Sequence, residues 1–340
     1  MSGVPRAGRQ ADERAAHPDG PTWDAGLQEL AHPPPLLQSW GFGETQAREG
    51  WQVERVRLPG PVQATVLILG RGRLGRGYVP RGPVPASAEA LERLLEWARE
   101  RGLARLRVEP EAGPEHSGAL RGLGFRPAPA VHPPETVIVP LGGEEEMLAA
   151  FKPKHRYNIR LGLKRGVTVE EGADPVELAR QSNATARRQG ISLPQVAIYR
   201  HRLELLEWCR TYVARYQGRP IAAIMVARFG GRAYYLFGGS NGDAREVMPA
   251  YVLQWTAMRA AAEAGCSDYD LWGVPPRPDP SHPWHGLWQF KTGFGGRLVE
   301  FSGAWDASLS RLPAGLAVAL AEGPQRVVRR LRRHLYRRPR

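Results

Sequence analysis

Two stretches of this 340-residue chain hold side chains whose types and spacing could do chemistry. Between Lys152 and Lys164 five cations (Lys152, Lys154, Arg156, Arg160 and Lys164) are spaced to gather charge on one side of a helix, with Pro153 in its first turn. Such a face is either a solvated surface or one that faces phosphates or tRNA. Nearer the C-terminus, Lys291 follows Phe290 and lies just before Gly293-Phe294-Gly295-Gly296, while Asp270 sits in the run Tyr269 to Gly273. A fixed ammonium can stabilise a developing oxyanion, and a carboxylate can accept an amine's proton. A surface lysine beside a core phenylalanine, and a buried structural aspartate, are the plainer accounts of the same residues. No convincing nucleophile constellation accompanies them: neither Cys209 nor Cys266 has a histidine and an acid in a recognisable context. Two cysteines, each in or at the end of an apparent helix, give no disulfide framework and no metal-ligand spacing, so no metal is expected.

The elements that would position these residues follow from periodicity. Val62 to Leu69 is a β-branched apolar run, with a short strand near Tyr78. A helix from about Ser87 to Arg101 puts Leu91, Leu94, Leu95 and Ala98 on one face and stops at Gly102. Leu106 to Val108 reads as the next strand, and the unit ends in Gly118 to Phe125. The second half repeats this order: strands at Ile221 to Ala227 and Tyr234 to Phe237, a helix from Pro249 to Ala264 stopped by Gly265, and a strand at Tyr269 to Trp272. Gly102 corresponds to Gly265, and Gly124-Phe125 to Gly293-Phe294, which implies a duplicated α/β (α+β) domain.

This pattern resembles the GNAT acyltransferase fold, so two tandem GNAT-like domains with mixed central sheets are expected. The likeness implies a coenzyme A pyrophosphate loop of the form Arg/Gln-x-x-Gly-x-Gly/Ala before each helix. The loops here, Arg81 to Ala86 and Arg245 to Ala250, keep the Arg and the final Ala but lack the middle Gly. Pro83, Pro85 and Pro249 also remove amide donors from the would-be cradle. No coenzyme A is expected in either half.

Seven segments, in order, resemble the Fem family of peptidoglycan-bridge aminoacyltransferases: Leu36 to Glu44, Tyr78 to Val84, Phe151 to Val167, Tyr234 to Asn241, Met248 to Met258, Tyr269 to Val274 and His285 to Gly296. The resemblance spans roughly residues 34 to 305. It implies transfer of an amino acid (Gly, Ala or Ser) from aminoacyl-tRNA, the co-substrate, to the stem-peptide amine of a lipid-linked or UDP-linked peptidoglycan precursor. An aminoacyl ester is already activated, so the site need only align amine and ester and stabilise the oxyanion. The resemblance places Phe290 and Lys291, with Asp270, at the catalytic centre, Phe290 stacking on the tRNA acceptor end and Lys291 supplying charge. It places Arg188, Tyr199 and Tyr235 in the family's precursor-binding segment; Arg81 beside Gly82 is expected to line the same cleft, and Lys154 and Arg156 of the basic helix, with Trp272, complete the expected substrate-binding residues. Thr45 and Gln46 stand where the family often has a Lys, and Gln195 where it often has an Arg, so other arginines would have to hold the diphosphate. The rival readings are a coenzyme A-dependent N-acetyltransferase and a non-catalytic nucleic-acid-binding protein.

Four segments are expected: a disordered leader over 1–33, GNAT-like domains over 34–145 and 146–306, and a C-terminal helix with a basic tail over 307–340. The formal charge is +13, and eight arginines without an acid from Arg326 to Arg340 leave about +5 for the rest. Val328, Leu331 and Leu335 form one stripe among them, as in a basic amphipathic helix on an anionic membrane surface; tRNA backbone is the competing partner. With no signal peptide and no run of eighteen apolar residues, the expected address is the cytoplasm, peripheral at the inner face of the membrane.

Overall fold

The computed structural model describes residues 19–70, 75–189, 193–274, 280–281, 285–309 and 336–337. The first half comprises α1 (Gly20–Leu30), α2 (Trp40–Arg48), β1 (Gln52–Leu58), β2 (Val62–Leu69), β3 (Arg76–Pro80), α3 (Ala88–Glu100), β4 (Arg105–Glu109), α4 (Ser117–Gly122), β5 (Arg126–Ala128) and β6 (Glu135–Pro140). The second comprises α5 (Glu144–Ala150), α6 (Pro153–Lys164), β7 (Thr168–Gly172), α7 (Pro175–Gln189), β8 (Leu193–Pro194), α8 (Val196–Leu205), β9 (Trp208–Tyr216), β10 (Arg219–Phe229) and β11 (Arg232–Ser240). It continues through α9 (Pro249–Glu263), β12 (Asp268–Gly273), α10 (His285–Thr292), β13 (Arg297–Glu300), β14 (Ala304–Ser308) and β15 (Tyr336–Arg337).

Local sequence explains the repeated unit. Ser87 caps α3 by accepting from the Ala90 amide (3.1 Å), the Leu91/Leu94/Leu95/Ala98 face is buried, and Gly102 (φ +71°) ends the helix in a conformation that excludes most side chains. Gly265 (φ +82°) does the same for α9, as its placement in the sequence predicts. In each half an antiparallel meander (β1-β2-β3, β9-β10-β11) passes through a helix to a parallel neighbour, β3 to β4 and β11 to β12. The result is a duplicated α/β fold with two mixed sheets, as expected.

The halves then exchange strands. The first sheet runs β1-β2-β3-β4-β14-β5 and the second β13-β6-β12-β11-β10-β9-β7. Thus β14, from the end of the second half, lies between β4 and β5, while β6, from the end of the first, lies between β12 and β13. Asp306 on β14 accepts from both Arg105 and Arg107 on β4. Between the sheets, an apolar cluster draws Leu36, Leu37, Phe42 and Tyr78 together with Tyr199, Met225, Phe229 and Tyr234.

The expected leader needs correction. Residues 20–30 form α1, whose Trp23 and Leu27, one turn apart, are fully buried, with the Trp23 indole donating to the Gln38 carbonyl (2.9 Å). Leu30 packs on the same cluster and Asp24 accepts from the Trp40 amide (2.7 Å); a single pair of large buried residues is too weak a period to stand out among Gly and Pro. Cys209 also departs from expectation, lying buried in β9, where burial pushes its thiol up to about 12. Of the basic tail, only Tyr336–Arg337 is described; these two residues pair with Leu193–Pro194 as a strand, and the rest of the expected helix lies outside the described residues.

Candidate functional site

A cleft opens between the two halves, lined by Arg81, Glu111, Thr136, Tyr234, Asp270 and Trp272, with Leu36, Leu37, Gly273 and Phe301 completing the wall. Its shape comes from β12, whose pairing with β6 slips between Asp270 and Gly273. Trp272 within that irregularity has φ +60°, a costly conformation for an aromatic residue and a mark of functional sites. The slip turns the Trp272 amide onto Asp270 Oδ1 (2.7 Å) and the Gly273 carbonyl onto Lys291 Nζ (2.7 Å). Thr136, on exchanged strand β6, donates its hydroxyl to the same Asp270 Oδ1. One carboxylate oxygen therefore holds two donors, and Oδ2 has no hydrogen-bond partner among the described residues.

Lys291 adjoins the cleft at Gly273. It is 6% exposed, as is Asp270, and burial lowers its ammonium to about 8, against the opposing pull of the Asp270 charge. The two feel each other electrostatically without forming an ion pair. Nζ also stands 5.4 Å from the centre of the Tyr235 ring, whose half-buried phenol burial pushes up to about 12. Phe290 and Lys291 occupy the last turn of α10, and His155 of α6 fixes that turn. Its Nε2–H donates to the Phe290 carbonyl (2.8 Å), and its ring packs against Tyr251, Phe290 and Phe294. Gly293 is required by this packing, since a Cβ there would overlap the His155 ring. Burial and the nearby Lys152 and Lys154 lower the His155 imidazole, although its bond to Phe290 opposes this.

The fold thus brings Lys291, Asp270, Tyr235, Trp272 and Arg81 together. Arg81 (φ +53°) donates to the Pro133 carbonyl (2.7 Å) and stacks its guanidinium 4.0 Å above the Phe301 ring. Three other expected residues lie elsewhere. Tyr199 is a fully buried core residue of α8, packed edge-on to Phe237. Arg156 bends back to the carbonyls of Leu148, Ala149 and Phe151, capping the C-terminal end of α5. Lys154 is exposed on α6. Arg188 lies in α7, but its side chain is outside what the structure describes. Thr45, one of the two residues standing at the expected lysine position, is buried and bonds the Phe42 carbonyl of its own helix (2.7 Å).

Several polar residues of the cleft escaped the sequence reading. Arg232 on β11 pairs with Glu111 (3.1 Å) across the halves and with Asp268 (3.4 Å). Burial raises the Glu111 carboxyl although Arg232 and Arg81 oppose it. Beside Trp272, Glu109 accepts from Tyr78 (2.7 Å), the His132 ring (3.0 Å) and the Val131 amide; these bonds overcome burial and hold its carboxyl at about 2. The available signal was the Glu-Pro-Glu run ending β4. The letters Gly238 to Gly242 match a Gly-x-Ser-x-Gly nucleophile pattern, but Ser240 ends β11 with its backbone tied to Thr185, and the next α-helix starts only at Pro249. No strand-turn-helix elbow forms there. Among the described residues no cluster of His, Cys, Asp or Glu could hold a metal ion.

The FemAB family matches residues 206–321. A lipid II:glycine glycyltransferase of Staphylococcus aureus is 23% identical over 81% of this chain and 88% of its own length. The crystal structure of FemX superposes with a TM-score of 0.74 at 22% identity, covering 86% of this chain and 96% of that one. A tandem GNAT protein from the clavulanic acid biosynthesis pathway shares the fold at a TM-score of 0.51 and 12% identity, over 86% of this chain and 96% of its own.

Proposed function

The chain belongs to the Fem family, with its duplicated GNAT-like fold, and from that premise we propose that it moves an amino acid from aminoacyl-tRNA to the stem-peptide amine of a peptidoglycan precursor. The coarser statement, a transferase of peptidoglycan bridge synthesis, follows from the family. The observation that carries the finer reading is the facing pair of Lys291 and Asp270. The acceptor amine attacks the ester carbonyl, forming a C–N bond; the C–O bond to the tRNA ribose breaks, and the proton lost by the amine ends on the departing ribose oxygen. The unpartnered Asp270 Oδ2 suits the proton leaving the amine, and the Lys291 ammonium suits the oxyanion between formation and collapse. Thr136 and the Trp272 amide keep Asp270 turned for this role. Arg81 and Trp272, with Tyr235 beside Lys291, then mark the side where the precursor's sugar and diphosphate would lie. A lipid-linked precursor would bring the basic tail to an anionic membrane surface.

The two loops that would cradle coenzyme A pyrophosphate support the same reading. Val84 exchanges both backbone bonds with Gln63 (2.9 Å each), and the Gln38 side chain packs against Gly82. In the second loop the Val247 and Met248 amides bond locally to Ala244 and Arg245, and Arg165, just past α6, donates to the Glu246 carbonyl. The Val84, Val247 and Met248 amides are thus engaged, and Pro83, Pro85 and Pro249 offer none to a pyrophosphate. Incubating the protein with aminoacyl-tRNAs labelled on Gly, Ala or Ser, and with lipid-linked and UDP-linked precursors, should give a labelled muropeptide. Label transfer from acetyl-coenzyme A instead, or none from any aminoacyl-tRNA, would refute the proposal.

A further inference from the structure

Helix α6 carries a surface the reaction itself does not use. Lys154, Arg160 and Lys164 are all exposed along it, the neighbouring Lys152 is exposed, and none makes an ion pair among the described residues. No acid lies between Phe151 and Thr168. Tyr157, 62% exposed, stands among these cations. A solvated helix face normally mixes signs or pairs its charges; this one does neither. The opposite face (His155, Asn158, Ile159 and Gly162) is buried against the second half, so the charged face cannot turn inward.

The helix also joins the catalytic turn. The Lys152 amide donates to the Gly293 carbonyl (2.9 Å), and His155 holds the Phe290 carbonyl. From that junction α6 runs for 12 residues, about 18 Å. We infer that the outer face of α6 is the docking surface for the phosphate backbone of the acceptor stem of the RNA co-substrate, with Arg160 and Lys164 on phosphates and Tyr157 against ribose. This rests on the reading under Proposed function: an ester at Lys291 leaves the duplex behind it to run along the nearest unneutralised surface. Duplex RNA is bound mainly through phosphate and 2′-hydroxyl contacts, which a row of cations and a phenol supply.

The test compares wild type with R160Q/K164Q on two donors: full-length aminoacyl-tRNA, and a short aminoacylated RNA holding only the single-stranded 3′ end. The double variant should raise KM for the tRNA about tenfold with kcat held. It should also flatten the dependence of log KM on log salt by about 1 to 2, at roughly 0.7–0.9 per lost phosphate contact. KM for the short RNA should move less than twofold. If wild type transfers from tRNA but the variant leaves its KM and salt slope untouched, α6 is not the RNA face, and the proposed function stands. If wild type uses neither donor, that function falls and this inference with it. If the variant instead loses binding to phosphatidylglycerol vesicles while its tRNA KM is unchanged, the surface faces lipid and the inference is wrong.

Discussion

Replacing Lys291 with Met keeps the aliphatic stem and removes the ammonium and its bond to Gly273. Losing one oxyanion partner typically lowers turnover roughly 100- to 1000-fold. The structural consequence differs. A buried lysine at about 8 rather than 10.5 has its charged form disfavoured by about 3 kcal/mol. Below pH 8 the folded protein carries that penalty in full; as pH rises toward 10.5 the unfolded chain still holds the proton and the folded one does not, so stability rises. The variant escapes the penalty but leaves the Gly273 carbonyl unpaired, at a cost of about 1–3 kcal/mol. The two nearly cancel at pH 7, so stability there should change by no more than about 2 kcal/mol. Between pH 8 and 9.5 wild type should gain about 2 kcal/mol relative to the variant, about 1.4 per pH step. Urea titrations at the two pH values, beside initial rates of label transfer at pH 7, measure all of this. A variant that keeps more than about a tenth of wild-type turnover, or a stability difference that ignores pH, would overturn the assignment of a buried, charged, reactive lysine.

Asp270→Asn should lower kcat roughly 100- to 10,000-fold with precursor KM changed less than threefold, and Thr136→Val, which frees the same carboxylate from one donor, should fall between it and wild type; equal rates for all three would remove Asp270 from the chemistry. Gly293→Ala should destabilise the fold and cut turnover at least tenfold because the added methyl meets the His155 ring, and His155→Ala in the same chain should recover part of the stability; no loss in a thermal melt would show the turn adapts freely. Calorimetry with acetyl-coenzyme A should show no heat of binding, whereas a micromolar dissociation constant would mean the two loops open.

Much of the repeated unit was legible because its signals are local. Ser87, Gly102, Pro249 and Gly265 mark helix ends by their own backbone demands, and the β2 run Val62 to Leu69 is apolar enough to be buried almost throughout. Lys291 and Asp270 could be named from their motifs. What arranges them could not, because Thr136 reaches Asp270 from 134 residues away, on a strand lent by the other half. A separation of 121 residues likewise hid Arg232 with Glu111. Tyr199 and Arg156 went the other way: a phenol and a guanidinium suit substrate as well as core or helix cap, and only packing tells which.

The strand exchange gives the protein a timetable. During synthesis β4 emerges early, yet its neighbour β14 follows only much later, Arg107 and Asp306 being 199 residues apart. At ribosomal speeds of roughly 5–20 residues per second, the first sheet waits on the order of 10–40 s with a bare edge beside β4. Exposed edges invite pairing with other chains. The first half therefore keeps an edge open to mispairing until the last strand arrives, and a message cut short before codon 304 yields a chain whose first sheet never closes, however complete its catalytic half.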